Sequence, residues 1–356
     1  MTMHGAVRDA TPDDLPQLFD LFRQAYPSNP RMLETDYFTW QFARAPGTER
    51  HGERTFMVQE GADGICGCFG FVPVEFRHPG GLDWGAWTQN WYSTIGGGGG
   101  MALLNEFFRR VDNRFLLRLS TISEAICRVY RMPILPRLPR WWAAVDAAAV
   151  IGQFGFDRPE DRLLIEQSAS RLARSLDGPP LTRIKRFDSG AEWRPDMIWP
   201  QISSYCRRSA DYLNWRYLDA PRHDYRAFVE GEQLAVYRAE QITGSDYSVL
   251  RLLEWTFAPA DSGRALAGIL ADAAPSRPIL IDFHCTVTSI GDALGAFGFV
   301  AQDQSVAPMP DLFRPTYHSG GYQVAIDLPP HRTARDIDFA GWYMTAGESD
   351  IDRVKL

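Results

Sequence analysis

The chain has 356 residues, long for one hydrophobic core and natural for two, and its 45% apolar and 23% charged residues make an ordinary globular composition rather than a disordered one. A net charge of −7 argues against a nucleic-acid partner, whose phosphates need a basic face, but leaves room for a local basic pocket for a nucleotide or coenzyme. The longest apolar stretch, Trp141 to Ile151, is broken by Asp146 and too short to span a bilayer, and the first residues lack a signal-peptide core, so no membrane insertion and a cytoplasmic location are expected.

In chain order, Val7 to Asp9 reads as a short strand. Thr11-Pro12-Asp13-Asp14 supplies an N-cap with acidic residues in the first helical turn, and Leu15, Leu18, Phe19 and Phe22 give that helix an apolar face. Strands are predicted at Thr55–Gln59, Ile65–Arg77 and Trp84–Trp91. A glycine run then leads into a helix over Met101–Asp112, a strand over Arg114–Ser120 and a helix over Ser123–Arg131. Pro136 to Pro139 and Trp141-Trp142 lead to a helical connector at Arg158 to Leu176, which Gly178-Pro179-Pro180 ends. Beyond Leu181 the reading is a helix around Pro200–Ala210, then strands at Arg226–Val229, Gln233–Ala239 and Val249–Phe257. A helix at Gly263–Asp272, a strand at Ile279–Cys285 and a helix at Thr288–Phe297 complete it. Cys66, Cys68, Cys127, Cys206 and Cys285 are spread as buried thiols would be, with neither a disulfide framework nor a metal site expected.

The chain repeats itself. Tyr37 opens Y-F-T-W-Q-F-A-R-A-P and Tyr212 opens Y-L-N-W-R-Y-L-D-A-P, so Trp40 matches Trp215 and Ala45-Pro46 matches Ala220-Pro221 at an offset of 175 residues. The same order of elements follows each decamer. Each half therefore reads as one copy of a domain, with residues 1–145 as the first, 146–180 as a connector and 181–356 as the second.

Ile95-Gly96-Gly97-Gly98-Gly99-Gly100-Met101 carries the most chemistry. Five glycines between a strand and a helix let backbone N–H groups converge on an anion, and the helix start adds a partial positive charge. A dinucleotide fold would place such a loop after its first strand. Here it follows the fourth, and the chain resembles the GNAT acyltransferases. Their Gln/Arg-x-x-Gly-x-Gly/Ala pattern falls on Ile95 to Gly100, with Gly98 and Gly100 on the glycines and Ile95 departing from the first position. The family's Asn-x-x-Ala…Tyr helix is matched by Ser123, in place of the Asn, and by Tyr130 seven residues on.

The resemblance implies an α/β (α+β) fold of two tandem GNAT domains, each a mixed twisted sheet flanked by helices. It also implies acyl-CoA (acetyl-CoA or a longer chain) as co-substrate, with no metal. The cofactor would lie on Ile95 to Met101 and Ser123, with oxyanion donors near Gln89, Asn90 and Trp91 and Tyr130 protonating the leaving thiolate. In the second half Leu294 stands where that Tyr should be, and Pro259 to Arg264 holds one glycine and Asp261, so this copy is expected to be degenerate.

The decamers, Arg137-Leu138-Pro139-Arg140-Trp141 and the tail from Trp342 to Asp352 resemble a bacterial tandem subgroup that includes N-acyltransferases of nucleotide-linked amino sugars. That implies a small-molecule amine acceptor, with no obligate protein partner evident. Another small-molecule acyltransferase and a non-catalytic acyl-CoA-binding protein are the alternatives. The predicted fourth strand carries no carboxylate, so a base would come through water or from the second half: His284, whose ordinary pKa suits the task, or Glu254. Asp282, two residues from His284 on one strand face, and Asp350 are the candidates for holding the acceptor. Glu348, Asp350 and Asp352 otherwise read as a solvated terminus, and His318 and His331 carry no spacing signal.

Overall fold

The computed structural model describes residues 5–25, 33–95, 99–117, 119–302, 309, 323–328 and 337–348. The first half forms β1 (Val7–Asp9), α1 (Leu15–Ala25), α2 (Thr35–Phe42), β2 (Phe56–Gly61), β3 (Gly64–His78), β4 (Gly81–Ser93), α3 (Met101–Arg110), β5 (Arg114–Leu117), α4 (Thr121–Val129), β6 (Ile134–Leu135) and β7 (Arg140–Ala144). Helices α5 (Ala147–Phe154) and α6 (Pro159–Ser175) follow. Next come β8 (Arg183–Ile184), β9 (Glu192–Trp193), α7 (Pro195–Ile198), β10 (Ser204–Cys206), β11 (Arg208–Ser209), α8 (Ala210–Leu213, running into π-helical Asn214–Leu218) and β12 (Tyr225–Glu230). The remainder is β13 (Gln233–Gln241), β14 (Ser248–Trp255), α9 (Pro259–Ala273), β15 (Pro278–His284), α10 (Thr288–Leu294), β16 (Val300–Ala301), β17 (Val324–Asp327) and β18 (Trp342–Tyr343).

Two twisted mixed sheets result, both flanked by helices, as the α/β reading expects. The first runs β1-β2-β3-β4-β5-β17-β6, with β10 along the end of β3 and β18 beside β10. The second runs β16-β7-β15-β14-β13-β12-β8. Each contains one parallel pair of long neighbours, β4 with β5 and β14 with β15.

The order contains an exchange. β7, from the first half, lies in the second sheet between β15 and β16, with Asp282 opposite Trp142 and Ala301 opposite Trp141. β17, from the second half, lies in the first sheet between β5 and β6, with Leu116 opposite Ala325. A cut at residue 145 thus crosses both sheets.

The helix read at Pro200–Ala210 is not formed. Tyr205 and Cys206 pair with Arg77 and Phe76 of β3, and Ser204 pairs with Trp342, so sheet pairing overrides the local apolar spacing. The loop read at Pro259–Arg264 is instead the first turns of α9.

The decamers meet. The Trp40 indole N–H donates to the Trp215 carbonyl at 2.8 Å and that of Trp215 to the Trp40 carbonyl at 2.9 Å, with the rings stacked 5.2 Å apart. Equivalent residues touching reciprocally is the contact a two-fold relation makes. Around it runs one apolar core that includes Phe76, Trp87, Phe115, Tyr212, Leu253 and Trp342, drawn from both halves.

Candidate functional site

The first sheet opens beside the glycine run. β4 and β5 pair only at Ala86 with Arg114 and at Trp87 with Phe115. Beyond that rung β4 continues to Ser93, while β5 turns its other edge to β17. β4 also bulges there: Gly70 pairs with Gln89 and Cys68 with Tyr92, leaving an extra residue at Asn90–Trp91. Asn90 has φ +43°, a left-handed value that asparagine tolerates and that turns its backbone out of the ladder. The parting of the parallel pair beside this bulge forms the slot of the first sheet.

The slot leads to the start of α3. Gly100 is the N-cap of α3, and the Trp91 indole N–H donates to its carbonyl at 3.2 Å. A Cβ on Gly100 would stand 2.8 Å from that indole nitrogen, so only glycine fits. Ile95 and its neighbours turn the corner, with Thr94 N–H on the Cys66 carbonyl (2.8 Å) and Ile95 N–H on the Ser93 hydroxyl (3.2 Å). Gly99, Gly100 and Met101 therefore lie where the positive end of a ten-residue helix can meet an anion. Gly96, Gly97 and Gly98 lie outside the described residues.

α4 returns along β5. Ser120 and Ser123 cap it reciprocally: the Ser123 N–H donates to the Ser120 hydroxyl oxygen (3.1 Å) and the Ser120 N–H to that of Ser123 (2.6 Å). This gives Ser123 a structural task. Tyr130 is the C-cap of the same helix, 42% exposed, with its ring edge-on to Phe108 of α3 at 5.0 Å.

The candidates in the second half sit differently. Glu254 is buried: its carboxylate accepts from the Tyr217 hydroxyl (2.8 Å) and the Tyr343 hydroxyl (3.1 Å) and pairs with Arg208 (3.2 Å). Asp282 is buried between Arg140 (2.8 Å) and Arg251 (2.9 Å). Both carboxylates are thus enclosed: Glu254 by two tyrosines and Arg208, and Asp282 by two arginines that both meet its Oδ2 and leave its buried Oδ1 without a hydrogen-bond partner. His284 ends β15, buried, opposite Arg140 in the ladder. Asp350 lies outside the described residues. Glu348, read as part of a solvated terminus, is 0% exposed and ion-paired with Arg208. Burial pushes its carboxyl pKa up, and Arg208 opposes that shift. Nothing local marks Glu348 for burial, because its partner lies 140 residues away.

Between the halves, at the start of β4, lies a cavity of about 500 Å³. Trp84 and Tyr212 line it with Glu49, Glu75, Asp211 and Arg207, the last tied to Glu75 at 2.6 Å. Trp84 is three residues before Trp87, about 10 Å along the strand from the slot.

By sequence the chain matches no protein-family model and no curated protein. Solved structures resemble it in fold. A GCN5-related N-acetyltransferase from Anabaena variabilis superposes with a TM-score of 0.50 at 12% identity, over 84% of this chain and 70% of that one. A proposed acetyltransferase from Pyrococcus horikoshii gives 0.51 at 12% identity, over 96% of this chain and 94% of that one. At such identities the likeness establishes the fold, that of the GCN5-related N-acetyltransferases.

Proposed function

We propose that the chain is an acyl-CoA-dependent N-acyltransferase whose first opening holds acetyl-CoA or a longer acyl-CoA. The observation that supports this best is the parting of β4 from β5 at Trp87, beside a bulge at Asn90 and in line with the glycine start of α3. In this reading the pyrophosphate rests on the glycine run and the first turn of α3, and the thioester reaches the bulge. A β4 backbone N–H near Gln89 to Trp91 polarises the thioester carbonyl. The neutral amine of the acceptor attacks that carbon, the C–S bond breaks, the thiolate takes a proton from Tyr130, and the proton shed by the nitrogen as the amide forms passes through water and returns Tyr130 to its phenol form. The acceptor is a small-molecule amine, a nucleotide-linked amino sugar on the resemblance of the decamers and tail. It would enter through the cavity between the halves, where Trp84 and Tyr212 offer ring faces and the carboxylates suit an ammonium.

Calorimetric titration with acetyl-CoA and longer acyl-CoAs, followed by thiol release with a panel of amines, tests this. Binding is expected in the parent and lost in Gly100→Val, whose side chain would meet the Trp91 indole and cover the helix start. Tyr130→Phe should keep its acyl-CoA affinity and lose about 100-fold in turnover. Absence of acyl-CoA binding in the parent defeats the proposal, and binding without thiol release for any amine would make the chain a carrier.

A further inference from the structure

The second sheet has an opening of its own, and it is full. β14 and β15 run parallel, as β4 and β5 do, and their ladder ends at Leu252 opposite Phe283. β14 carries an extra residue there, Leu253, where its pairing with β13 shifts between Val236 and Tyr237. Leu253 is thus the counterpart of Asn90: in both sheets a parallel pair parts beside a bulge on the same strand.

Residues 342–348 run between the parted strands, and every one of them is buried. On the β15 side Thr345 pairs with Cys285, and the Thr286 N–H donates to the Met344 carbonyl at 3.0 Å. On the β14 side the Thr345 hydroxyl donates to the carbonyl of bulged Leu253, and the Trp255 N–H donates to the Tyr343 hydroxyl oxygen at 3.0 Å. The far end is pinned twice. Arg216 Nε donates to the Gly347 carbonyl at 2.9 Å, and Glu348 pairs with buried Arg208. The near end reaches the other sheet: the Trp342 ring lies 5.7 Å from Phe115 and 5.9 Å from Phe76. Phe115 stands opposite Trp87 in the last rung before the first opening.

We propose that Trp342–Glu348 is an internal peptide ligand of the second opening, which it fills with main chain, and that through Trp342 it braces the rung where the first opening begins. The occupant is a peptide chain, extended from Trp342 to Thr345 and closed by a turn in which the Glu348 N–H donates to the Thr345 carbonyl at 3.2 Å. Amides along a chain are also the character of the pantetheine arm which, on the function proposed above, the first opening takes, so this part of the inference rests on that reading. Two openings built alike then hold two amide-bearing chains, one of them covalently part of the protein and extended over Trp342–Thr345, and the second opening has no room for a cofactor. The stoichiometry is one coenzyme A per chain.

Hydrogen–deuterium exchange on the full chain, with and without coenzyme A, tests it. Amides of 342–348 are expected to rank with the slowest in the molecule and to be unmoved by coenzyme A, which should slow exchange only over 88–101. Gly347→Ala places a methyl on the Tyr217 hydroxyl and 2.9 Å from the Leu253 carbonyl, so it should expel the segment. Exchange over 342–348 and 250–255 should then rise by about 100-fold, as for a change from core to locally open backbone. Coenzyme A affinity should weaken in the same variant as the Trp342 brace is lost. Fast exchange over 342–348 in the parent overturns the proposal, whether or not the variant folds. So does coenzyme A that slows 250–255 while freeing 342–348, since the cofactor would then be displacing the segment. If coenzyme A protects no segment while 342–348 stays slow, the reading of the first opening fails and the internal ligand stands.

Discussion

Single residues at the chain's start show how a local signal becomes a measurable property. Asp14 accepts from Arg8 Nη1 at 2.7 Å and Nη2 at 2.8 Å, and from the Thr11 N–H at 2.7 Å. These partners, Arg8 foremost, hold its carboxyl well below the usual carboxylate range. A depressed carboxyl stabilises the fold above its unfolded pKa and ceases to do so as pH falls through the folded one. Asp14→Asn is therefore expected to lower stability at pH 7, and the gap to the parent should narrow progressively below about pH 4. Urea midpoints measured from pH 7 to pH 3 check this, and a gap that stays constant with pH would remove the charge from the explanation. Thr11 and Asp14 were legible because a cap speaks to residues three positions away. Glu348 was not, since what buries it is Arg208 and a core built from both halves.

At the level of elements, the repeat was legible and its meaning larger than expected. Matching tryptophans in matching decamers read as a repeat, and the structure brings them into one reciprocal contact. Trp40→Phe and Trp215→Phe each keep a ring but remove an N–H donor and leave a buried carbonyl short of a partner. Each should cost about 1–3 kcal/mol. Because the two residues share one stack, their effects should fall short of additivity by about 0.5–3 kcal/mol in a double-mutant cycle read by chemical denaturation. Strict additivity would mean the rings do not depend on each other. Elements whose partners are remote were misread: β10 carries apolar spacing that suits a helix, and only β3 and β18 make it a strand. α3, α4 and α6 fell near their read positions because caps, glycines and prolines bound them locally.

For the whole molecule the exchange of β7 and β17 decides how the chain behaves. A fragment ending at Gly178 would lack the strand between β5 and β6, and the complementary fragment would lack the strand between β15 and β16. Each would bare a central sheet edge with its apolar face. Neither fragment is therefore expected to fold alone, the two together should reassemble, and the intact chain should unfold in one transition. Circular dichroism and gel filtration of the separate and mixed fragments check this. A fragment of residues 1–178 that stays monomeric with a sharp melt of its own would refute it. No local pattern foretells the exchange: Val324–Asp327 and Arg140–Ala144 are short apolar runs that would suit either sheet.

The same exchange sets a timetable for synthesis. β5 leaves the ribosome about two hundred residues before β17, its neighbour in the finished sheet. At about 5–20 residues per second this leaves the edge bearing Phe115 and Leu116 unpaired for about 10–40 s. The nascent first half must pass that interval shielded by a chaperone or by its own transient packing, so slow stretches of translation between residues 117 and 324 would lengthen its exposure to aggregation rather than help it fold.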